Sequence, residues 1–301
     1  MNLPEGFQFS QGSLQDYVDC RRRFYLRYLL GLAWPALESE PAIENERFVR
    51  QGARFHRMAQ QYLTGVPPER LRALAGEEQL LGWLDNFLQL GPLHWPSVPE
   101  ARIYPEFSLS AALGGYRLVA KLDALHVTPV AMTIYDWKTS RKLPRRAWLA
   151  ERLQTRVYPY LLVRAGVQFN GWVSLQPEIV TMVYWFAEAP DQPQRFAYSR
   201  AQFEQDETMM LGLLEEIQRL AQAAPGSALR STGSVKSDVD LERAAAGFDL
   251  TARSERCAFC VYRSLCGRGV QAGAEDEGNT EQEGEAGEVF LDFEQVAEIE
   301  F

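Results

Sequence analysis

The sequence lacks any long apolar run, and this absence argues against a membrane-spanning helix. A helix needs about 20 consecutive apolar residues to cross a bilayer, and no stretch of the 301 residues approaches that length. The first five residues, Met1 to Glu5, also lack the basic start and apolar stretch of a secretion signal. We therefore expect a cytoplasmic protein that makes no membrane contact. The 46% hydrophobic content predicts a substantial buried core.

Lysine, histidine and cysteine are scarce, with four, three and four copies respectively. No glycine directly precedes a lysine anywhere in the chain. This excludes the glycine-rich phosphate loop that ends in Gly-Lys, and with it a nucleotide-driven motor of that type. In a chain with so few lysines, a lysine that falls in a catalytic pattern is less expected by chance.

Negative charge is concentrated at the C-terminal end of the sequence. The formal net charge is −9, but residues 271–301 hold eleven acids and no Lys or Arg, so residues 1–270 carry a net +2. We predict a folded domain over 1–270 and an acidic flexible tail, rich in Gly and Glu, over 271–301. Two basic clusters in the body could hold phosphates or serve as solvated helix faces: Arg21, Arg22, Arg23 and Arg27; and Arg141, Lys142, Arg145, Arg146, Arg152 and Arg156.

Apolar periodicity predicts both helices and strands. Helices are expected over 13–30, 46–63, 145–164 and 200–224, the first capped by Ser13. Strands are expected over 103–109, 116–126, 132–137 and 178–186, with turns at Gly114-Gly115 and Thr128-Pro129. This order of elements predicts an α/β fold with a mixed central sheet flanked by helices.

The main chemical feature is a pair of predicted strands that carry carboxylates. One strand reads Ile134-Tyr135-Asp136-Trp137-Lys138, and the preceding strand contains Asp123. Side chains alternate along a strand, so Asp136 and Lys138 share a face and Asp123 can converge on them. Two carboxylates can bind Mg²⁺ or Mn²⁺, which activates water, while a lysine offsets charge developing on phosphorus. An isolated Asp-x-Lys is more often a surface ion pair.

In their order and approximate spacing, these residues resemble the RecB-like branch of the PD-(D/E)XK nucleases. The matching residues are His56 on a helix, Asp123, Asp136-Trp137-Lys138-Thr139, and then Gln154 and Tyr158 on the following helix. The resemblance implies a restriction-endonuclease-like core. It also implies that His56, Asp123 and Asp136 are metal ligands, that Lys138 is the catalytic lysine, and that Gln154 and Tyr158 contact DNA. Glu106 matches a frequently acidic position.

The four cysteines form a one-plus-three pattern. Cys257, Cys260 and Cys266 follow a C-x2-C-x5-C spacing, and Cys20 stands near the N-terminus. Disulfides are not expected in the cytoplasm, so the pattern predicts a four-thiolate site that could hold zinc or an iron–sulphur cluster. The arrangement resembles the iron–sulphur nucleases of the AddB and CRISPR-associated exonuclease type. That resemblance implies a 4Fe-4S cluster that staples the helical N- and C-terminal regions together.

The resemblance covers residues 10–270, and it implies a metal-dependent DNA nuclease without a motor. We expect an exonuclease that acts on single-stranded DNA or DNA ends, in DNA repair or CRISPR adaptation, with proteins of those systems as partners. One alternative is a non-catalytic nucleic-acid-binding or assembly factor that retains the nuclease fold. Another is a nuclease domain that works only inside a larger complex.

Overall fold

A computed structural model describes residues 2–33, 42–91, 98, 100–171, 173–224, 245 and 247–269. The predicted acidic tail at 271–301 lies outside these residues. The chain forms two compact units, each discontinuous in sequence. The first draws on the described residues within 1–46, 112–117 and 208–289, and the second on those within 47–111 and 118–207.

The first unit begins with a strand and a broken helix. β1 (Gln8–Ser10) leads into α1 (Gln11–Asp19), α2 (Arg21–Phe24) and a π-helical turn, Tyr25–Leu29. Ser10, and not the predicted Ser13, is the N-cap; Ser13 is the third helical residue and closes a reciprocal capping box with Ser10. The single helix predicted over 13–30 is also wrong, because Cys20 has extended backbone between α1 and α2.

The segment around residue 248 packs against this broken helix within the first unit. Phe248 contacts the rings of Phe24 and Tyr25, with centroids 6.5 and 5.1 Å apart. The buried Arg22 donates from Nε to the carbonyl oxygen of Phe248 at 2.8 Å. A 3₁₀ helix, Ser254–Cys257, then begins the segment that carries three of the four cysteines. Residues near the N-terminus and the segment around residue 248 therefore contact each other within this unit.

The second unit contains three successive helices before its sheet. They are α3 (Ala42–Leu63, which belongs to this unit from residue 47), α4 (Pro68–Ala75) and α5 (Glu78–Leu90). The predicted helix over 46–63 is confirmed by α3, whereas α4 and α5 were not predicted. The buried face of α5 is formed by Leu80, Trp83, Leu84 and Phe87.

The central sheet is mixed, as predicted. Its strands are β2 (Arg102–Leu113), β3 (Tyr116–Val127), β4 (Met132–Lys138), β5 (Val180–Phe186) and β6 (Ala189–Ala197). The order is β3-β4-β5-β6, with β2 also paired to β3; β1 pairs with β3, whose first two residues belong to the first unit. β3 and β4 are antiparallel, and β4 and β5 are parallel. Gly114 and Gly115, both with positive φ, turn the chain between β2 and β3.

The remaining helices are α6 (Arg146–Glu151), α7 (Leu153–Ala165) and α8 (Arg200–Ala223). The helix predicted over 145–164 is therefore two helices, since Arg152 has extended backbone between them. The strand predicted over 178–186 begins at Val180, after a 3₁₀ turn, Pro177–Ile179. Within the described part of the chain, no helix combines the length and apolar character needed to span a membrane.

Aromatic residues fill the core on one side of the sheet. Trp137 of β4 and Trp185 of β5 contact Phe87 of α5, with ring centroids 5.0 and 5.5 Å apart, and Phe55 of α3 stacks on Trp185. All four side chains are at most 1% exposed. Close packing of this kind holds α3 against the sheet and fixes the position of the residue after Phe55, which is His56.

Candidate active site

The pairing of β3 with β4 brings the two candidate aspartates together. Ala124 pairs with Tyr135 and Leu125 with Ile134. Extending this register by one residue places Asp123 opposite Asp136. Neighbouring strands lie about 4.8 Å apart, so the two side chains lie close together, and the Asp123 carboxylate raises the pKa of Asp136.

Hydrogen bonds fix the Asp123 carboxylate from two sides. Its Oδ2 accepts from the backbone N–H of Trp137 at 2.7 Å. Its Oδ1 lies 3.0 Å from Nδ1 of His56. The sequence could not predict the Trp137 contact, because a backbone donor leaves no side-chain signal. These contacts join α3, β3 and β4 at one point.

Asp136, Lys138 and Gln154 form a closed triangle of polar contacts. Lys138 Nζ lies 2.7 Å from Asp136 Oδ2 and donates to Gln154 Oε1 at 2.9 Å. Gln154 Nε2 donates to Asp136 Oδ1 at 2.5 Å. Each member therefore orients the other two. Gln154, near the start of α7, is held directly against the strand that carries the Asp-x-Lys pattern.

An aromatic ring lies beneath the lysine. Lys138 Nζ lies 5.4 Å from the centroid of Tyr184, which is the partner of Asp136 in the parallel pairing of β4 with β5. The Tyr184 hydroxyl is 2.6 Å from Oγ1 of Thr155, and both side chains are buried. A cation over a ring face is stabilised by the ring quadrupole. The sequence did not predict Tyr184 at this site, because its position depends on the β4–β5 register and not on any motif.

Burial and charge act in opposite directions on Asp136. Its burial raises the pKa to about 6; Lys138 opposes this shift, and the nearby Asp123 carboxylate adds to it. Burial disfavours the charged form of His56, but the adjacent Asp123 carboxylate and then Asp136 raise its pKa overall. The cluster therefore binds protons more strongly than isolated side chains would. A cation that enters it must displace them.

Tyr158 and Glu106, also singled out from the sequence, have different surroundings. Tyr158 lies on α7 with its side chain only 2% exposed, so it presents little surface to a ligand in this conformation. Its predicted contact with DNA stays a prediction. Glu106 forms an ion pair with Lys121 at 2.8 Å and has a positive φ of 51°, which is rare for a non-glycine residue.

The donor set at the carboxylate site fits a hard divalent cation chemically. Carboxylate oxygens of Asp123 and Asp136 and the imidazole of His56 are ligands that Mg²⁺ or Mn²⁺ accept, and a carboxylate oxygen that accepts one hydrogen bond retains a second lone pair. Among the residues with described positions, however, no group of three or more His, Cys, Asp or Glu side chains is arranged to hold a metal ion. The metal-ligand assignments for His56, Asp123 and Asp136 therefore stay predictions.

The four cysteines lie in the first unit, and none forms a disulfide. Burial raises the pKa of Cys257 and of Cys260, and it raises that of Cys266 to about 12. The charge of Cys20 adds to each of these shifts. Cys20 thus affects the three C-terminal thiols although more than 230 residues separate them in sequence, but the absence of a metal-binding group among the described residues extends to these cysteines. The ligand role of the four thiols stays a prediction.

The mixed sheet flanked by helices, with an Asp-x-Lys strand beside a second aspartate, is consistent with the core of the PD-(D/E)XK nucleases. The chain belongs to the PD-(D/E)XK nuclease superfamily, whose family model matches residues 8–267. The match includes parts of both units, the candidate active-site residues and the four cysteines.

Similarity to individual proteins is weaker. A solved structure named SSO0001 is 14% identical, covering 86% of this chain and 85% of that one, with a TM-score of 0.37. A protein of Eubacterium rectale, described in its structure only provisionally as an exonuclease, is 10% identical over 76% of this chain and 88% of its own, with a TM-score of 0.44. No curated protein matches the chain. The family assignment therefore rests on the family model.

Proposed function

We propose that this protein is a metal-dependent DNA nuclease that hydrolyses phosphodiester bonds at the cluster of Asp123, Asp136 and Lys138. The observation that carries the proposal is the Asp136–Lys138–Gln154 triangle beside the Asp123–His56 pair. A structural ion pair does not need a second carboxylate and a histidine at the same point. Metal-assisted hydrolysis uses carboxylates to hold the metal and a positively charged side chain to offset the charge that develops on phosphorus.

In this proposal His56, Asp123 and Asp136 would hold Mg²⁺ or Mn²⁺. When bound, the metal supplies a water of lowered pKa and a positive charge near the scissile phosphate. Lys138 orients the attacking water and offsets negative charge on phosphorus. The contact with Asp136 holds the Lys138 ammonium in position, and Gln154 contacts both side chains. Trp137 N–H and His56 fix the orientation of Asp123.

The choice of substrate rests on the resemblance described under Sequence analysis. The RecB-like pattern of His56, Asp123, Asp136-Trp137-Lys138-Thr139, Gln154 and Tyr158 favours an exonuclease that acts on single-stranded DNA or DNA ends. The same resemblance favours a role in DNA repair or CRISPR adaptation. The net +2 charge of residues 1–270 is compatible with a polyanionic substrate.

Cleavage of end-labelled DNA tests this proposal. Anaerobically purified protein is incubated with linear single-stranded, linear double-stranded and circular single-stranded DNA, in Mn²⁺, Mg²⁺ or EDTA. We expect progressive shortening of the linear single strand with either metal, no cleavage in EDTA and little action on circles. Lys138→Ala should abolish cleavage. Arg72→Ala, which removes one positive charge from α4, a helix with no residue in the site, should not.

Two outcomes would reject the proposal. Full activity of Lys138→Ala would move the chemistry away from this site. Tight DNA binding without cleavage in either metal would favour the alternative, a nucleic-acid-binding or assembly factor that retains the nuclease fold.

We also propose that Cys20, Cys257, Cys260 and Cys266 bind a 4Fe-4S cluster. The effect of Cys20 on the pKa of the other three thiols supports a shared ligand. Four thiolates are the ligand set of such clusters and also of structural zinc. Closing so long a loop restricts the unfolded chain, so the main role of the cluster is stability.

Metal analysis distinguishes a 4Fe-4S cluster from structural zinc at the four cysteines. The purified protein should contain iron and acid-labile sulphide and absorb visible light. Cys260→Ser should lose both and melt at a lower temperature. Val261→Ala, an exposed neighbour on the same segment, is the matched control and should retain the cluster. Stoichiometric zinc without iron would contradict the cluster assignment.

A further inference from the structure

The chain between Lys138 and Gln154 is a closed loop anchored at the candidate site. Its two ends touch, since Lys138 Nζ donates to Gln154 Oε1 at 2.9 Å. The fifteen residues between them, 139–153, hold five bases and one acid, Glu151. We call this segment the basic connection; its bases are Arg141, Lys142, Arg145, Arg146 and Arg152. The basic connection therefore carries a net charge of +4, and both of its ends are joined to residues of the candidate site.

Several contacts hold the basic connection in place while leaving its charges at the surface. Leu149 is fully buried, and its carbonyl oxygen accepts from Thr155 Oγ1 at 2.5 Å. Arg146 lies over the ring of Phe196 at 4.2 Å and donates to the carbonyl oxygen of Arg195 at 2.7 Å. Arg141, Lys142, Arg145 and Arg146 are nevertheless exposed. These contacts therefore hold the segment in place while its basic side chains remain exposed to solvent.

A tryptophan–arginine pair lies near the Gln154 end of the basic connection. The guanidinium carbon of Arg152 is 4.9 Å from the ring centroid of Trp148, and both side chains are half-buried. Arg152 is the N-cap of α7, two residues before Gln154. Its charge also reaches Tyr184, the ring beneath Lys138, where it partly opposes the rise in pKa that burial and Asp136 cause. Trp148 is thus a half-buried aromatic residue in contact with Arg152, which lies two residues before Gln154 in the chain.

We propose that the basic connection is the binding surface for single-stranded DNA, with one base stacked on Trp148 and an adjacent phosphate bound by Arg152. The choice of DNA rests on the proposed nuclease function. A strand bound in this way would lead from the exposed arginines to Lys138 and Asp136, because the surface is joined to the site at both ends. Stacking requires an unpaired base, so the geometry favours a single strand over a duplex.

Binding measured without catalysis tests the inference separately from the function. Fluorescence anisotropy in EDTA gives the Kd for a labelled oligothymidine and for an oligonucleotide of equal length with abasic sites. Base–aromatic stacking contributes about 5- to 150-fold in affinity. We expect Trp148→Ala to weaken oligothymidine binding about tenfold and Trp148→Phe to restore most of it. Trp148→Ala should bind the abasic strand as the wild type does.

Variants of Arg152 test the proposed phosphate contact, and Arg72→Ala is the control. Arg152→Ala should lower the slope of log K against log salt concentration by about 0.7, the value for one phosphate on a single strand. Arg152→Lys should keep that slope. Arg72→Ala, which removes an exposed charge that pairs with Asp85, should change neither slope nor affinity. Melting curves confirm that each variant is folded, and the abasic comparison in the wild type needs no variant at all.

The possible results of these measurements distinguish failure of the stacking site from failure of the nuclease function. Unchanged oligothymidine binding by Trp148→Ala, or equal wild-type affinity for normal and abasic strands, overturns the stacking site even if the protein cleaves DNA. Equal affinity for a duplex of the same length also overturns it. Loss of binding by Trp148→Ala in a protein that never cleaves supports the binding surface and refutes the nuclease function. A wild type that binds no DNA refutes both.

Discussion

The two aspartates of the candidate site differ in what surrounds them. Asp123 accepts a backbone N–H and faces His56, whereas Asp136 is buried between Lys138 and Gln154. Burial raises the pKa of Asp136 to about 6, although Lys138 opposes the shift. A folded-state pKa above the unfolded value means that protonated Asp136 favours the fold. This contribution is complete below the unfolded value of about 3.8 and is lost as pH rises through about 6.

Metal binding should therefore stabilise the protein more at neutral than at acidic pH. Mn²⁺ requires ionised Asp136 and neutral His56, and both groups hold their protons more strongly than usual. Below about pH 6 the proton displaced from Asp136 should cost about tenfold in apparent affinity per pH unit, and the raised pKa of His56 extends the competition to higher pH. We expect the Mn²⁺-induced rise in Tm to grow between about pH 5 and 7.5. Differential scanning fluorimetry with Mn²⁺ or EDTA measures it.

Asp136→Asn is the informative comparison for this prediction. It removes the titrating group, so any remaining Mn²⁺ effect should be smaller and depend less on pH. An equal rise in Tm at both ends of the pH range in the wild type would show that Asp136 and His56 do not bind the metal.

Among individual residues, the sequence predicted the juxtaposition of Asp123, Asp136 and Lys138, because side-chain alternation along a strand and the turn between β3 and β4 are local features. It could not predict the Trp137 backbone contact or the position of Tyr184 under Lys138. Those depend on hydrogen-bonding geometry and on the parallel β4–β5 register, which joins strands about 40 residues apart.

Among the elements, the departures from prediction have local causes. β6 was missed because Pro190 and Pro193 break the strand pattern, and proline is tolerated at a sheet edge, where β6 lies. The predicted helices over 13–30 and 145–164 have continuous apolar periodicity, but each is interrupted by one extended residue, Cys20 or Arg152. In both cases the break lies at a candidate functional residue. Periodicity reports the buried face of a helix and not its continuity.

Replacement by alanine should have opposite effects on stability at two glycines, Gly166 and Gly82. At Gly166, which ends α7, a Cβ would lie 2.5 Å from the Leu162 carbonyl oxygen and 2.7 Å from the Leu175 side chain. At Gly82, inside α5, a Cβ would meet no atom within 4 Å beyond its chain neighbours and the backbone of its own helix. Gly166→Ala should destabilise the protein by about 1–3 kcal/mol. Gly82→Ala should stabilise it by about 0.5–1 kcal/mol.

Urea unfolding of both variants measures these free energies. The two substitutions add the same methyl group, so each serves as the control for the other. A stabilised Gly166→Ala protein would contradict the close packing at the end of α7, the helix that carries Gln154.

For the whole molecule, the uneven charge gives a prediction about DNA affinity. Deleting residues 271–301 changes the formal net charge from −9 to +2. If the acidic stretch competes with DNA for the basic clusters, the truncated protein should bind single-stranded DNA more tightly at low salt, with the gain fading as salt screens the charges. Anisotropy across a salt series tests this. Identical affinities for full-length and truncated protein would remove the competition.

The sequence predicted the mixed α/β fold and the family, because motif residues and strand patterns are local. It did not predict the division into two units, which depends on contacts between distant segments. Helices α4 and α5 were also not predicted, although the buried residues Leu80, Trp83, Leu84 and Phe87 of α5 follow the helical period. The grouping of Cys20 with Cys257, Cys260 and Cys266 was expected from the number of cysteines and from resemblance, since no local rule relates residues so far apart.

Single-turnover cleavage of labelled single-stranded DNA in Mn²⁺ tests the central claim most directly. The comparison is between wild type, Asp136→Asn and Asp85→Asn, the last removing an exposed carboxylate that pairs with Arg72 outside the site. We predict that Asp136→Asn lowers the rate by at least about a thousandfold, which corresponds to about 4 kcal/mol of transition-state stabilisation. Asp85→Asn should cleave at the wild-type rate. A folded Asp136→Asn protein that cleaves as fast as the wild type would contradict the assignment of this cluster as the nuclease site.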